Sequence, residues 1–486
     1  LAMTDGRLGA PWPNGMAVYA LGNWPAPFGI VLVVDRLAAV MLTLTATLGL
    51  AALAYSLAGW ERAGSHYLPL FQFLLMGVNG AFLTGDLFNL FVFFEIMLAA
   101  SYGLVLHGSG SARVLAGMHY IVVNLAASLL FLLAAALVYG VTGTLNMAEL
   151  ASKAGSLGIQ ERALFDVGAV LLGIVFLVKA GAWPFNFWLT AAYGAAAPPV
   201  AGVFAILTKV GLYALLRISV LLEDVGTPAP FEGAWLFYCG LATIAVGTLG
   251  VLGAQKLKTL AGHLVIVSSG TLLAAFGYTG TSLTGPALYY LVSSVLGSGA
   301  FFMLIEMIER NRSAVADILA ISAEAFGLSA PDEANLPEEA VGVAIPAAMA
   351  FLGLAFVACG LLLTGLPPLS GFVGKFVLLD AAITATPQAP ILHAGLFIAA
   401  LLLSGLAGVI ALSRLGVRVF WDTQRPTPRL LWVEAMPVAG LVALTLAMAV
   451  GAGPALRYFD AAASSLYNEH AYVGSVLPGS GPGARP

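Results

Sequence analysis

Twelve long apolar runs dominate this sequence, and glycine, proline or charged residues bound each of them. A helix needs roughly 20 apolar residues to cross the hydrocarbon core of a bilayer, and most of these runs reach that length. We therefore predict an all-α polytopic membrane protein with twelve transmembrane helices. The predicted spans lie at about 33–58, 68–84, 87–106, 114–140, 164–182, 199–222, 233–254, 259–279, 284–308, 342–382, 391–416 and 432–451.

The low content of charged residues excludes several classes of protein. Charged residues make up 9% of the chain and hydrophobic residues 60%, whereas soluble proteins carry roughly 25% charged residues. A set of soluble domains is therefore excluded. The chain has 20 Lys and Arg against 24 Asp and Glu and contains no basic tract, so we expect no binding to nucleic acid.

The sequence offers no recognisable site for a cofactor, a metal ion or hydrolytic chemistry. Its only cysteines, Cys239 and Cys359, stand alone in apolar segments, which excludes a disulfide framework and a Cys-based zinc, iron–sulfur or haem site. The chain also lacks a GxxxxGK[ST] phosphate loop, an HExxH motif and a GxSxG nucleophile elbow. We expect no cofactor and no metal, and these absences give no support to an enzyme.

Two of the predicted helices contain breaks. The run at 342–382 is too long for one straight span, and TGLPPLSGF in its middle removes backbone donors and loosens the helix. A similar interruption, AGAWPFNFWLTAAYGAAAPPV, follows Lys179. Transporters built from repeats often bind ions where corresponding helices of the two halves are interrupted, so broken helices in both halves favour a transporter.

The spacing of four ionisable residues favours an internal repeat. Glu95 and Lys179 are 84 residues apart, whereas His263 and Lys375 are 112 residues apart. The difference of 28 residues roughly matches the polar insert at 309–340, so removing that insert brings the two halves into register. Proline-containing apolar helices are common in membranes, and a chance match of two such helices is the alternative.

These patterns divide the chain into four segments and give it an orientation. We predict an extracytoplasmic lead-in at 1–32, a first half at 33–222, a second half at 223–416 and a C-terminal helix with a tail at 417–486. The loops after odd-numbered spans hold ten Lys and Arg, and the other side holds seven. Because positive residues favour the cytoplasm, we expect both ends outside it and the acidic insert inside, as a solvated linker.

Four ionisable residues lie deep in apolar helices, namely Glu95, Lys179, Lys209 and Lys375. Each costs at least roughly 2.5–3.5 kcal/mol at the centre of a membrane. In a chain with so few charged residues, we therefore expect each of the four to have a binding partner or a function. Three of the six lysines of the chain belong to this group. The alternatives are snorkelling lysines and structural ion pairs.

Lysine suits a proton relay because its charge can be switched. Burial favours the neutral amine, a nearby carboxylate favours the ammonium form, and arginine stays protonated throughout. If Glu95 approaches Lys179 in one state and leaves it in another, Lys179 can release its proton toward Lys209. His263 suits a relay between two lysine sites, although a packing role is an equal alternative. For His119 and Asp86, which lie nearer helix ends, interfacial or capping roles are favoured.

Three stretches of the sequence resemble a known family. FQFLLMGVNGAFLTGDLFNLFVFFE, KAGAWPFNFWLTAAYGAAAPPVAGVFAILTKVGLYALLR and TGLPPLSGFVGKF are similar to the antiporter-like subunits shared by Mrp-type cation/proton antiporters and respiratory complex I. The similarity extends over essentially the whole chain and is greatest to the D-type subunits of Mrp antiporters. The loop NFWLTAAYGAAAPP lacks the histidine and the acidic residue that the complex I relatives carry there. This absence also favours an Mrp-type subunit over a complex I subunit.

The resemblance implies fourteen helices in two inverted five-helix repeats, with both termini on the outer side. We therefore expect about two N-terminal helices of the family to be missing here. The family's ion-pair glutamate maps to Glu95, its broken-helix lysine to Lys179, its next relay lysine to Lys209 and its second-half lysine to Lys375. His263 corresponds less securely, to a position that varies in residue type.

The resemblance also implies a function. It predicts a proton-translocating subunit of a multisubunit Na⁺(K⁺)/H⁺ antiporter in the bacterial plasma membrane, with the other Mrp subunits, H⁺, Na⁺ or K⁺ and the lipid bilayer as partners. One alternative is a proton-pumping membrane subunit of an NADH:quinone oxidoreductase or a related redox complex. Another is a structural scaffold whose charges only hold helices together.

Overall fold

The structure, a computed structural model, describes residues 12, 15–24, 29–108, 110–223, 233–278, 281–326, 347–385, 390–420 and 430–477. These residues form a helical bundle and one small hairpin. The hairpin consists of β1 (Ala17–Ala20) and β2 (Val31–Val34). The helices are α1 (Arg36–Ser56), α2 (Tyr67–Leu83), α3 (Leu87–Val105), α4 (Ser111–Thr142), α5 (Met147–Ala154), α6 (Ile159–Ala180), α7 (Leu189–Ala195), α8 (Pro198–Glu223), α9 (Ala234–Gly253), α10 (Leu257–Phe276), α11 (Thr284–Phe326), α12 (Ala347–Thr364), α13 (Ser370–Thr384), α14 (Ile391–Phe420), α15 (Trp432–Val450), α16 (Ala452–Leu466) and α17 (Glu469–Val476).

The prediction of an all-α polytopic membrane protein is confirmed. Within the described ranges, eleven helices are long and apolar enough to cross a membrane, and the shorter apolar helix α2 accompanies them. Every predicted span corresponds to one of these twelve helices. The start of the predicted span 342–382 and the part of the polar insert beyond Phe326 lie outside the described residues. The first part of that insert continues helix α11.

Two regions of the fold differ from the sequence prediction. An antiparallel hairpin spans the junction between the predicted lead-in and the first predicted span, and in it Ala17 pairs with Val34 and Ala20 with Val31. Helix α1 therefore begins at Arg36, where the Asp35 carboxylate accepts a hydrogen bond from the Ala38 backbone N–H at 2.8 Å and caps the helix. Toward the C-terminus, three helices, α15 to α17, take the place of the single predicted helix.

The centre of the bundle consists of three helices that are enclosed on nearly all sides, namely α8, α10 and α11. Small residues bring α10 close to its neighbour α9, because the Gly240 backbone lies against Ala274 and Gly270 lies against Ile244. Helices α4, α12, α14 and α15 expose much larger shares of their apolar surface. Polar groups on the three central helices are therefore shielded from the bilayer.

Both predicted helix breaks are present, and they share a local geometry. Helix α6 ends at Ala180, and the following Gly181 has a φ of 67°. Helix α12 ends at Thr364, and the following Gly365 has a φ of 80°. A left-handed glycine ends a helix because it lacks the Cβ that penalises this conformation. Each break therefore begins with a glycine that turns the chain out of its helix.

Candidate functional site

Helix α3 carries Glu95 near its middle and begins at a fixed cap. The Asp86 carboxylate accepts a hydrogen bond from the Asn89 backbone N–H at 2.9 Å, so Asp86 has the capping role favoured above. Glu95 is half-buried, and its carboxylate accepts a hydrogen bond from the Ser128 hydroxyl of α4. The glutamate is thus held to the neighbouring helix through a neutral hydroxyl.

Lys179 approaches the same part of α4 from the end of α6. Its side chain is 5% exposed, and its Nζ donates to the Asn124 carbonyl oxygen at 3.4 Å. The Phe94 ring lies 5.6 Å from the same nitrogen and provides a cation–π contact. Ser128 Oγ lies 3.0 Å from the same carbonyl oxygen, so the Glu95 and Lys179 side chains meet at one turn of α4.

The Ser128 hydroxyl has one proton and two acceptors in reach, the Glu95 carboxylate and the Asn124 carbonyl. It can donate to only one of them at a time. Among the described residues, Glu95 and Lys179 form no ion pair within 4.0 Å. Ser128 is thus within reach of Glu95 and of the carbonyl oxygen to which Lys179 donates.

We expect Ser128→Ala to weaken the connection between Glu95 and Lys179 without unfolding the chain. The loss of one hydrogen bond to a charged group corresponds to roughly 1.5–3 kcal/mol, or about a 10- to 150-fold change in the equilibrium between Glu95 held to α4 and Glu95 released from it. The frequency of the infrared carboxylate band of isotopically labelled Glu95 reports the loss of this hydrogen bond. Ser219→Ala, which removes a buried hydroxyl whose one described hydrogen bond goes to the Leu216 carbonyl of its own helix, is the control. An unchanged Glu95 carboxylate band in Ser128→Ala would contradict the role of the hydroxyl.

Lys209 occupies the centre of α8 and is 1% exposed. Its Nζ donates to Ser269 Oγ of α10 at 3.3 Å. A hydroxyl is a neutral partner that both accepts and donates, so it leaves the charge of the amine uncompensated. Lys209 is therefore joined to α10 by a polar contact in the most enclosed part of the bundle.

Lys375 lies in α13, directly after the second break. Its Nζ donates to the Thr364 carbonyl oxygen, the last residue of α12, at 2.8 Å. The stem of the side chain packs against Gly365, where a Cβ would collide with it. Lys375 is 9% exposed and lines a small cavity together with several serines of α10, α11 and α14.

His263 is separated from the lysines. It is half-buried in the first half of α10 and lines an open cavity of about 450 Å³ with Gln255 and Lys256 at the turn between α9 and α10. Its Nδ1 lies against Gly250 of α9 and has no hydrogen-bond partner among the described residues. No described hydrogen bond joins His263 to Lys209 or Lys375. Lys209 contacts α10 further along the helix, at Ser269, and Lys375 lines a cavity with Ser268 of α10.

Comparison with known proteins identifies the family. The model of the NADH:quinone oxidoreductase/Mrp antiporter transmembrane family matches residues 84–329, a range that includes Glu95, Lys179, Lys209 and His263. This chain belongs to that family. It is 55% identical over 459 residues to the probable D-type subunit of a K(+)/H(+) antiporter from Rhizobium meliloti, covering 93% of this chain and 85% of the relative.

Other members of the family agree with this assignment in sequence and in structure. The chain is 34% identical over 475 residues to the D-type subunit of the Na(+)/H(+) antiporter from Alkalihalophilus pseudofirmus, covering 96% of this chain and 89% of that protein. A chain of the Mrp complex from Dietzia sp. DQ12-45-1b superposes with a TM-score of 0.79 at 27% identity, covering 96% of this chain and 90% of that one. The resemblance inferred from the sequence is confirmed.

The structure also contains charged pairs that the sequence analysis missed. Arg217 of α8 and Asp35 before α1 form a buried ion pair at 2.6 Å, with side chains 6% and 3% exposed. Arg310 of α11 binds Glu434 of α15 at 2.6 Å, and Glu434 is 2% exposed. The sequence marked only Arg217, because it lies inside a predicted span. Asp35, Arg310 and Glu434 lie near the ends of spans, where charged residues are common. His119 is exposed on α4 and takes no part in the site.

Proposed function

We propose that this chain is the proton-translocating subunit of a multisubunit monovalent cation/proton antiporter in the bacterial plasma membrane. One observation carries the proposal: the three deeply buried lysines are held by neutral oxygens rather than by carboxylates. Lys179 donates to a carbonyl, Lys209 to a hydroxyl and Lys375 to a carbonyl. Such partners leave the lysines able to lose a proton, because among the described residues no carboxylate lies within 4.0 Å of their ammonium groups.

The contrast with the arginines argues against a scaffold. Arg217 and Arg310 each lie 2.6 Å from a carboxylate that is almost fully buried, which is the geometry of a structural ion pair. A chain that used its lysines only to hold helices together would pair them in the same way. Within the described residues, none of Lys179, Lys209 and Lys375 forms an ion pair with a carboxylate.

The proposed relay runs along the centre of the bundle from Lys179 through Lys209 to Lys375. Glu95 controls its first step through Ser128, since the carboxylate stabilises the ammonium form of Lys179 when the two approach each other. His263 exchanges protons between the relay and the open cavity at the turn between α9 and α10. Water completes the path where side chains are too far apart for direct transfer.

Cation transport requires the other subunits of the complex. The relatives are named for Na⁺/H⁺ or K⁺/H⁺ antiport, so we propose Na⁺ or K⁺ as the exchanged ion and the other Mrp subunits as partners. Antiport follows only when the affinity for the cation depends on the protonation state of the relay. Proton entry through this chain would then drive the cation out of the cell.

The proposal is tested in everted membrane vesicles that contain the complete complex. After respiration acidifies the vesicles, added Na⁺, K⁺ or Li⁺ should release protons, and a fluorescent pH indicator follows the rate. We expect Glu95→Gln to lower the rate on the order of tenfold, the equivalent of about 1.4 kcal/mol in the barrier. Glu149→Gln, which affects a pair with Lys153 at the edge of the bundle, is the matched control. Undiminished release by an assembled Glu95→Gln complex would contradict the proposal.

A further inference from the structure

The first helix break is bound to a helix of the second half of the chain. The Trp183 backbone N–H donates to Thr243 Oγ1 of α9 at 3.0 Å, and the Trp183 carbonyl oxygen accepts from Cys239 Sγ at 3.6 Å. A thiol is a weak donor, so the contact with Thr243 is the stronger of the two. Both backbone polar groups of Trp183, four residues after Lys179, therefore bond to α9.

The Thr243 hydroxyl uses both of its hydrogen-bonding functions in this contact. Thr243 is fully buried, and its Oγ1 donates to the Cys239 carbonyl oxygen at 2.8 Å while it accepts from Trp183. Valine has nearly the same shape but can neither donate nor accept. The next residue of the break, Pro184, has no backbone N–H that could replace the contact. The strongest described contact between the break and α9 thus depends on one hydroxyl.

Helix α9 is a firm support because its backbone lies directly against α10. Gly240 contacts the Ala274 backbone and Gly247 the Val267 backbone, so a Cβ at either glycine would collide. Such close packing transmits a displacement of one helix to the other. Helix α10 also carries Ser269, which binds Lys209. The break is thus attached to the pair of helices that holds the partner of the next lysine.

The same break determines how the last turn of α6 ends. The Gly181 and Ala182 N–H groups donate to carbonyls of that turn at 3.1 and 3.0 Å, and Trp183 follows directly. Lys179 belongs to this turn and extends from it to the Asn124 carbonyl of α4. A displacement of Trp183 would loosen the contacts that end the helix. The position of Lys179 relative to α4 therefore depends on the anchoring of Trp183.

We propose that Thr243 is a positioning residue for proton transfer at Lys179: its hydroxyl holds Trp183 against α9 and so keeps Lys179 at the turn of α4 to which Glu95 is bound. This inference rests on the proposed function and adds to it a residue of the second half that acts on the first lysine. Thr243 acts through the backbone of Trp183 and exchanges no proton itself. A movement of α9 and α10 reaches Lys179 through this contact.

Hydrogen exchange measures the anchoring directly. In the purified complete complex, Thr243→Val should speed amide exchange at residues 181–183 about fivefold, the factor that one neutral hydrogen bond contributes to an equilibrium. Thr243→Ser, which keeps the hydroxyl, should exchange like the wild type. The matched control is Thr248→Val on the same helix, because the half-buried Thr248 has a hydroxyl with no hydrogen-bond partner among the described residues. Unchanged exchange in Thr243→Val would overturn the anchoring.

Transport in everted vesicles that contain the complete complex measures the effect on Lys179. We expect Thr243→Val to lower the rate of cation-dependent proton release about fivefold, whereas Thr243→Ser and Thr248→Val should keep the wild-type rate. In a Glu95→Gln background, Thr243→Val should lower the rate by a much smaller factor, because the interaction that it positions is already lost. A structural defect would instead lower the rate by the same factor in both backgrounds.

The outcomes separate this inference from the proposed function. A wild-type rate in Thr243→Val, together with a slowed Glu95→Gln complex, would overturn the positioning role and leave the relay intact. A wild-type rate in Glu95→Gln would overturn the proposed function, and the positioning role with it. Equal factors of loss in the two backgrounds would assign Thr243 a structural role, and so would equal losses in Thr243→Ser and Thr243→Val. Either result would overturn the positioning of Lys179 by the hydroxyl.

Discussion

Lys179→Ala should abolish cation-dependent proton transport while the complex remains assembled. In the proposed relay Lys179 passes protons between the part controlled by Glu95 and Lys209, and it reaches the α4 carbonyl that also lies beside Ser128. Positioned proton donors and acceptors contribute factors of about 100 to 10,000 to a rate, so we expect a loss of at least about 100-fold. Proton release from everted vesicles measures the effect, and the subunit content of the purified complex measures assembly.

The control for this variant is Lys153→Ala, at a partly exposed lysine that pairs with Glu149 at 2.9 Å. It should transport at the wild-type rate. Lys179→Ala should not lower the thermal stability of the complex, because it removes a buried amine that no carboxylate compensates. An assembled Lys179→Ala complex with normal transport would contradict the relay, and a strongly destabilised one would indicate a structural role for the lysine.

Asp35→Ala should strongly destabilise the protein, because it leaves the Arg217 guanidinium buried without its partner. The two groups lie 2.6 Å apart, and breaking such a pair costs about 3–5 kcal/mol. Asp35 also caps α1 through the Ala38 N–H, which adds about 1 kcal/mol to the loss. The free energy of unfolding is followed through the thermal unfolding of the detergent-purified complex.

A double variant distinguishes the ion pair from local packing. Arg217→Leu alone should also destabilise the protein, because it leaves Asp35 uncompensated and removes contacts with the Tyr213 and Tyr472 rings at 5.3 and 5.5 Å. Asp35→Ala combined with Arg217→Leu should cost less than the sum of the two single changes, since no lone charge is then buried. Strict additivity would show that the two residues act independently.

The architecture was predictable because each span is a long apolar run, and the two breaks were predictable because proline cannot continue a helix. Tyr67–Leu83 shows where length alone is marginal, since its 17 residues are fewer than a straight span needs. The hairpin was missed because only Asp35 and Arg36 lie between its second strand, VLVV, and the apolar run of α1, so the two were combined into one span. Only the capping of α1 by Asp35 separates the two elements.

The deep lysines were predictable from the sequence, but their partners were not. Lys179 and Lys375 bind backbone carbonyls, which every residue carries and no sequence pattern marks. Ser128 and Ser269 are ordinary serines in apolar helices, and only the packing of α4 and α10 brings them to charged groups. His263 attracted attention as the intramembrane histidine, whereas its side chain faces α9. The partners of the deep charges could therefore be identified only after the helices were assembled.

The most direct test of the relay replaces lysine by arginine, which keeps the positive charge but does not release its proton. Lys179→Arg and Lys375→Arg complexes would be reconstituted into proteoliposomes, and a Na⁺ gradient would be applied while internal pH is recorded. If these lysines carry protons, both variants should assemble normally and show no cation-driven proton flux. Wild-type flux in the assembled arginine variants would show that only charge is needed, and it would contradict proton transfer through this chain.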